Sequence, residues 1–422
     1  NYKSPRISTE LCECALPLTF DQYSNCSHGC MYCFSYYSRA VDPHIKDAYL
    51  NKQVRSVNVE SVKKLFLGQV KGNAKHIYED FIKKRTPLHW GGLSDPFCPF
   101  EKEHRIGLEL LKFFDSIDYP IIFSTKGSVM LEPEYFEIFK RKPQNYFFQI
   151  SITSIDEKST ALIEPNVPSA HRRLETMKAL HDVGCTVSLR LRPYIIGHSN
   201  KNIEELIKLA SEAGAVSVSC EFMCLEMRAT PALHSRYYEI SKAIGFDIWN
   251  YYRNLQPKGK GGYGRLNPSV KEKYALEVYE LAHKYGMLVA FSDPDFCELN
   301  DTSCCCGVPE TLKNFENFKR GQFKRAIMLA KKNDFVYWKQ IEPDWGKNIK
   351  RGDVDINKGD YENFQKQKNL TAYTLIKNTW NDPNNPHSPY KYFNGKLKPA
   401  GLDEEKNIIY EYVKSYYEVK YP

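Results

Sequence analysis

Three cysteines share one short stretch, Cys26, Cys30 and Cys33 in NCSHGCMYCFSYY, with the spacing C-x3-C-x2-C. Clustered thiolates select soft metals and iron–sulfur clusters. A structural zinc site closes a tetrahedron with four protein ligands, usually from paired C-x2-C units. Here Cys30 and Cys33 make one such pair and Cys26 adds a third thiol. An iron–sulfur cluster held by three thiolates instead leaves one iron open to a small molecule. A second group, Cys297, Cys304, Cys305 and Cys306, lies in FSDPDFCELNDTSCCCGVPE. Adjacent residues do not all turn toward one metal. Cys297 with two of the trio, joined by Cys12 or Cys14, is the set that would hold an auxiliary iron–sulfur cluster or a zinc. A reactive thiol that donates a hydrogen atom and a reduced loop capped by Gly307 are the other two readings. Asp293 and Asp295 beside it either orient a substrate or serve as ordinary turn residues flanking Pro294.

The chain that must position these groups has 422 residues, 42% of them hydrophobic and 14% aromatic, ample for a large packed core. Its 13 cysteines are too few and too clustered for a disulfide scaffold, which points to a reducing compartment. No stretch reaches the roughly 18 apolar residues of a membrane span. The opening NYKSPRISTE lacks the apolar run of a secretory leader. The expectation is a soluble, cytoplasmic protein without a membrane partner.

Short β-rich runs recur, each followed by a helix-like stretch. LPLTFDQYSN (16–25) leads into the cysteine loop. PLHWGGLSD (87–95) precedes a helix from Glu101 to Asp115, and YPIIFSTKG (119–127) one near 132–141. YFFQISITS (146–154) precedes a helix over 169–184, CTVSLRLRPYIIG (185–197) one over 202–214, and AVSVSCEFM (215–223) is the sixth strand. Six alternations predict parallel strands with crossover helices, a partial or closed β/α barrel of about six units. In such barrels chemistry sits at the C-terminal strand ends. Polar residues gather there: Ser94 and Asp95, then Ser124, Thr125 and Lys126, Ser151, Arg190 and Arg192, and Glu221. The expected organisation is a barrel core over 1–230 and barrel-closing helices, a strand and the second cysteine group over 231–310. A mainly helical domain or lid would follow over 311–422. The glycine-rich KGKGGYGRLN (258–267) reads as a flexible loop with Lys258 and Lys260 as phosphate contacts at most.

A C-x3-C-x2-C loop after the first strand of a β/α barrel resembles the cluster loop of the radical S-adenosylmethionine superfamily. The resemblance implies a 4Fe–4S cluster on Cys26, Cys30 and Cys33, with the amino and carboxylate groups of S-adenosylmethionine on the open iron. It also implies reductive cleavage to a 5′-deoxyadenosyl radical that abstracts hydrogen from a substrate. DQYSNCSHGCMYCFSYY, GGLSDPFCPFEKEH, STKG, QISIT and RLRPYIIG together look like the spore photoproduct lyase-like branch, over roughly residues 5 to 225. By that likeness Tyr32 packs near adenine, and Ser94, Lys126 and Ser151 contact the cofactor's backbone and ribose, with Arg192 in the same set. Gly91 and Gly92 would let the strand approach the methionine amino group. Where true spore photoproduct lyases carry a hydrogen-donating cysteine, this chain has Gly92; the nearest thiol is Cys98. Cys98 is thus either an alternative donor or a small buried residue at a helix start.

Residues 311–422 hold 21 Lys and Arg against 14 Asp and Glu, an excess of seven in a chain whose net charge is +8. Trp338, Trp345, Trp380, Tyr390, Tyr392, Phe393, Tyr416 and Tyr417 are interleaved with them. Basic charge with aromatics suits phosphates and stacked bases; a solvated surface around a small aromatic core is the other account. The expected activity is therefore hydrogen abstraction from nucleic acid, in base repair or modification, with an external electron donor. Radical modification of a peptide, protein or small metabolite, using the second cysteine group, is the alternative.

Overall fold

Runs such as IIFST, YFFQIS and AVSVSCEF are rich in β-branched and aromatic residues, which fit a pleated surface packed on both faces. In the computed structural model they are strands. The structure describes residues 2–8, 12–14, 16–41, 54–227, 231–255, 263–312, 315, 321–354 and 365–420. The strands are β1 Arg6–Ile7, β2 Leu18–Phe20, β3 Leu88–Trp90, β4 Ile121–Thr125, β5 Tyr146–Ser151, β6 Thr186–Tyr194, β7 Ala215–Phe222, β8 Leu225–Glu226, β9 Tyr263–Gly264 and β10 Leu288–Phe291. One eight-stranded sheet runs β1-β2-β3-β4-β5-β6-β7-β10. β4 to β7 pair in parallel, and β1 is antiparallel to β2. The first and last strands are not neighbours, so of the two forms expected the partial barrel is the one found.

The chain divides into two compact units. One comprises residues 1–4, 20–59 and 89–289, the other 5–19, 60–88 and 290–422. In the first, helices bridge successive strands: Pro133–Arg141 between β4 and β5, Glu157–Ile163 and Ala170–Asp182 between β5 and β6, and Ile203–Glu212 between β6 and β7. Alternation along the strands sends Phe123 and Phe148 to one face, stacked at 4.9 Å. The opposite face carries Ser124, Gln149, Ser151 and Arg190, paired in register as Ser124 with Gln149 and Ser151 with Arg190. The helix expected over Glu101–Asp115 is two helices, Pro99–His104 and Ile106–Ser116, broken at Arg105 with φ 54°. The cause is the buried Glu101 carboxylate, which accepts from Gly107 N at 2.9 Å and Leu108 N at 2.8 Å and so caps the second helix.

The second unit has the expected helices, among them Phe323–Asn333 and Ala372–Asn381. It also contains an antiparallel sheet the sequence reading missed: β11 Phe335–Val336, β12 Leu397–Leu402 and β13 Ile408–Tyr412, in the order β11-β13-β12. Trp338, Trp345, Trp380 and Phe393 are fully or nearly fully buried. Trp380 packs 4.8 Å from Tyr410 and donates to the Ile408 carbonyl at 2.8 Å. These side chains form a core, so they are not platforms for bases; the exposed aromatics of this unit include Tyr337 and Tyr416. Lys258 and Lys260 lie outside the described residues. Among the described residues no helix is long and apolar enough to cross a membrane.

Candidate active site

The cysteine loop begins where β2 ends, and side chains from the following strand ends hold it. Buried Asp21 accepts from Leu93 N and Ser94 N, both at 2.8 Å, while Ser94 Oγ donates to the Tyr23 carbonyl at 2.9 Å. The turn after β3 is thereby tied to the approach to the loop. Asp95 continues the connection: its carboxylate accepts from Thr125 Oγ1 at 2.7 Å and Lys126 N at 2.6 Å, and lies 3.3 Å from His28 Nε2. His28 Nδ1 meets the Asn166 carbonyl at 2.8 Å. Burial opposes charge on His28, but the Asp95 carboxylate outweighs it and raises its pKa. Asp95 is held below the usual carboxylate range in spite of burial, by His28 and the donors around it.

Gly91 has φ +109°, and a Cβ there would stand 2.3 Å from the Ser124 carbonyl oxygen. Close strand approach at this point demands glycine.

The thiols occupy this framework. Cys30 is buried, and Cys26 and Cys33 are half-buried. Burial pushes Cys30 up to about 12, with Lys126 pulling the other way. The neighbouring Cys98 thiol lifts Cys26 well above an ordinary thiol, and Cys26 in turn lowers Cys98. Cys98 is wholly buried and immediately precedes the Pro99–His104 helix. On the other side of the loop, Tyr32 donates its hydroxyl to Glu164, which pairs with Arg173 at 2.8 Å; Arg173 Nη1 also donates to the Ser151 carbonyl at 2.6 Å. Lys126 Nζ stands 5.7 Å over the Tyr32 ring. Arg236 closes the loop, donating to the Cys30 carbonyl at 2.9 Å and lying 4.0 Å over Tyr36. Deeper in the sheet, Ser124 Oγ accepts from Gln149 Nε2 at 3.0 Å and meets His89 Nε2 at 2.8 Å; Arg190 donates to Gln149 Oε1 at 2.9 Å. Arg192 pairs with Glu221 at 3.6 Å.

Of the residues expected from sequence, Cys26, Cys30, Tyr32, Ser94, Cys98, Lys126 and Ser151 are thus linked through a few shared partners. Sequence reasoning missed those partners: His28, Glu101, Glu164, Arg173 and Arg236. His28 and Glu101 stand inside the quoted motif stretches, but they act, like Glu164, Arg173 and Arg236, through contacts remote in sequence.

Three thiols on one loop, with Lys126 and Arg173 as the cations acting on Cys30, suit a cluster that binds one thiolate per iron. Among the described residues no three His, Cys, Asp or Glu side chains converge as a single ion would require. A cluster ligated at separate corners needs no such convergence.

In the second unit, Cys297, Cys304 and Cys306 are buried and Cys305 is half-buried. Cys297 Sγ donates to the Asp293 carbonyl at 3.4 Å, and burial pushes its pKa up to about 12 against the pull of Lys324 and Lys396. The Cys12 carbonyl accepts from Phe323 N at 2.8 Å, and Cys14 Sγ accepts from Leu16 N at 3.4 Å. Asp295 accepts from Asn394 Nδ2 at 2.8 Å.

Residues 23–210 match the Radical SAM superfamily. That span carries a radical SAM domain, and the chain is an enzyme. An uncharacterized protein of Mycobacterium tuberculosis and its Mycobacterium bovis counterpart are each 23% identical over 291 residues, 65% of this chain and 76% of theirs. Among solved structures, spore photoproduct lyase complexed with dinucleoside spore photoproduct aligns at 14% identity and TM-score 0.48, covering 68% of this chain and 80% of that one. Streptococcus suis SuiB bound to precursor peptide SuiA aligns at 13% identity and TM-score 0.36, covering 70% and 63%.

Proposed function

We propose that Cys26, Cys30 and Cys33 hold a 4Fe–4S cluster, and that S-adenosylmethionine binds among Tyr32, Gly91, Gly92, Ser94, Lys126, Ser151 and Arg192. The carrying observation is the linkage of Tyr32, Ser94, Lys126 and Ser151 to the cysteine loop through Asp95, Glu164 and Arg173. Cys26, Cys30 and Cys33 would hold the cluster, which would supply the electron for reductive cleavage of the cofactor's C–S bond. The chain's own residues position and shield. Lys126 offers an ammonium to the methionine carboxylate. Arg236 covers the carbonyls of Cys30 and Met31. Asp95, pinned by Thr125 Oγ1 and the Lys126 amide, sets the turn that carries Ser94. Cys98, beside Cys26, is the thiol from which a hydrogen atom would be returned; tight packing is its other use.

The substrate reading is nucleic acid, for base repair or modification. It is supported by the lyase-like motifs and by the basic excess of residues 311–422. Peptide, protein or metabolite modification is the alternative, with Cys297 and Cys304 to Cys306 holding a second cluster or a zinc. Anaerobic reconstitution of the wild type and of a triple variant, Cys26→Ala, Cys30→Ala and Cys33→Ala, tests both parts. The wild type should take up about four irons at the first site. The variant should lose them together with S-adenosylmethionine cleavage. Retained chromophore and cleavage would overturn the reading. Metal remaining in the variant, and lost on Cys304→Ser, Cys305→Ser and Cys306→Ser, would establish the second site.

A further inference from the structure

Glu164 and Arg173 pair at 2.8 Å with side-chain exposures of 1% and 0%. Taking both charges out of water is costly, and such a pair contributes little net stability relative to apolar residues of similar volume. This pair reaches in several directions. Glu164 Oε1 accepts from the Tyr32 hydroxyl and from Thr153 Oγ1, the latter at 3.3 Å. Arg173 reaches the Ser151 carbonyl at the end of β5 at 2.6 Å. The backbone beside Glu164 holds the same loop: Met31 N donates to the Ile163 carbonyl at 2.9 Å, and Asn166 N to the His28 carbonyl at 3.3 Å. One buried pair therefore joins the residue between two cluster cysteines to the strand end that carries Ser151.

We infer that Glu164 is a positioning residue. Its carboxylate, held by Arg173, fixes the Tyr32 ring and the main chain between Cys30 and Cys33 in the orientation that receives the adenosine end of S-adenosylmethionine. This rests on the reading of Tyr32 and Ser151 as cofactor contacts. A hydrogen bond to a carboxylate is stronger than a neutral one. A ring already held in its binding rotamer gives up less entropy when the cofactor arrives. Tyr32 is 6% exposed, so packing confines it, and the tether selects its orientation within that confinement.

The test measures S-adenosylmethionine affinity by calorimetry on reconstituted protein, together with iron content and thermal midpoint. Tyr32→Phe removes only the tether's donor. It should weaken binding about three- to tenfold at unchanged iron content. Glu164→Leu combined with Arg173→Met leaves no lone buried charge and no acceptor for the Tyr32 hydroxyl. It should weaken binding similarly, and add nothing further in the Tyr32→Phe background; a merely structural role would give additive losses. If the paired variant does not fold, Tyr32→Phe decides by itself. Wild-type affinity in Tyr32→Phe, with a tenfold or greater loss in Tyr32→Ala, overturns the tether and leaves the cofactor reading standing. Wild-type affinity in Tyr32→Ala overturns both.

Discussion

The residues around the cysteine loop are over-determined by their partners, so single substitutions there have separable meanings. The Lys126 main chain is held by Asp95 independently of its ammonium. Lys126→Ala should therefore leave the turn intact and weaken S-adenosylmethionine binding by about 1.5–3 kcal/mol, the range for a charged hydrogen bond. Calorimetry showing unchanged affinity removes Lys126 from the site. His198 carries a different consequence. It is wholly buried, with Nδ1 3.2 Å from Ser159 Oγ and Nε2 3.4 Å from Thr160 Oγ1. Burial drives its pKa down from 6.5 to about 4. The folded protein thus favours the neutral ring, and the unfolded chain binds the proton more readily. The stability this contributes is complete above the unfolded pKa and is lost as pH falls from about 6.5 to about 4, by up to about 3 kcal/mol. A His198→Gln variant should lose less thermal stability than wild type between pH 7 and pH 4.5. Parallel losses would show that His198 is not the group titrating.

At the scale of elements, each strand end does two jobs: it pairs in the sheet and it presents a polar side chain beside the loop. Gly91 shows how closely these are coupled. Its amide donates to the Phe20 carbonyl at 3.0 Å, and its α-carbon lies against the Ser124 carbonyl. Gly91→Ala must relieve a 2.3 Å contact with backbone at a positive φ. A loss of about 2 kcal/mol or more follows, visible as a thermal midpoint lower by several degrees. A midpoint equal to wild type would mean that β3 and β4 separate here at little cost. The six main strands were legible as β-rich runs followed by helical stretches. The break at Arg105 was not, because it depends on the Glu101 carboxylate. That group also accepts from the hydroxyls of Tyr23 and Tyr135, each at 2.6 Å. No local periodicity encodes a carboxylate shared by residues so far apart.

At the scale of the whole molecule, charge and aromatic content separate into different roles. The tryptophans of residues 311–422 are interior, so nucleic-acid binding by this region would rest on Lys and Arg meeting phosphates, with exposed tyrosines such as Tyr416 adding to it. Fluorescence anisotropy with single-stranded and duplex DNA should then show affinity falling steeply between low and moderate salt. Tryptophan emission should change little. Absence of binding at low salt would turn the assignment to a peptide or a small metabolite.

The sequence by itself determined the chemistry and its frame. Spacing made Cys26, Cys30 and Cys33 a three-thiol set, and alternating β-rich and helical runs made the sheet that carries them. Both are local: neighbours in sequence stay neighbours in space, and side-chain period follows backbone geometry. Tertiary structure decided what local pattern does not encode. It set Glu164 and Arg173 between the loop and β5, placed Cys98 against Cys26, and turned the expected base-stacking tryptophans inward. It also paired β11 with β13 across some seventy residues of intervening chain. These outcomes turn on burial, which makes a carboxylate seek a distant guanidinium and an indole seek a core. Burial is a property of where the chain has gone, and no window of sequence contains it.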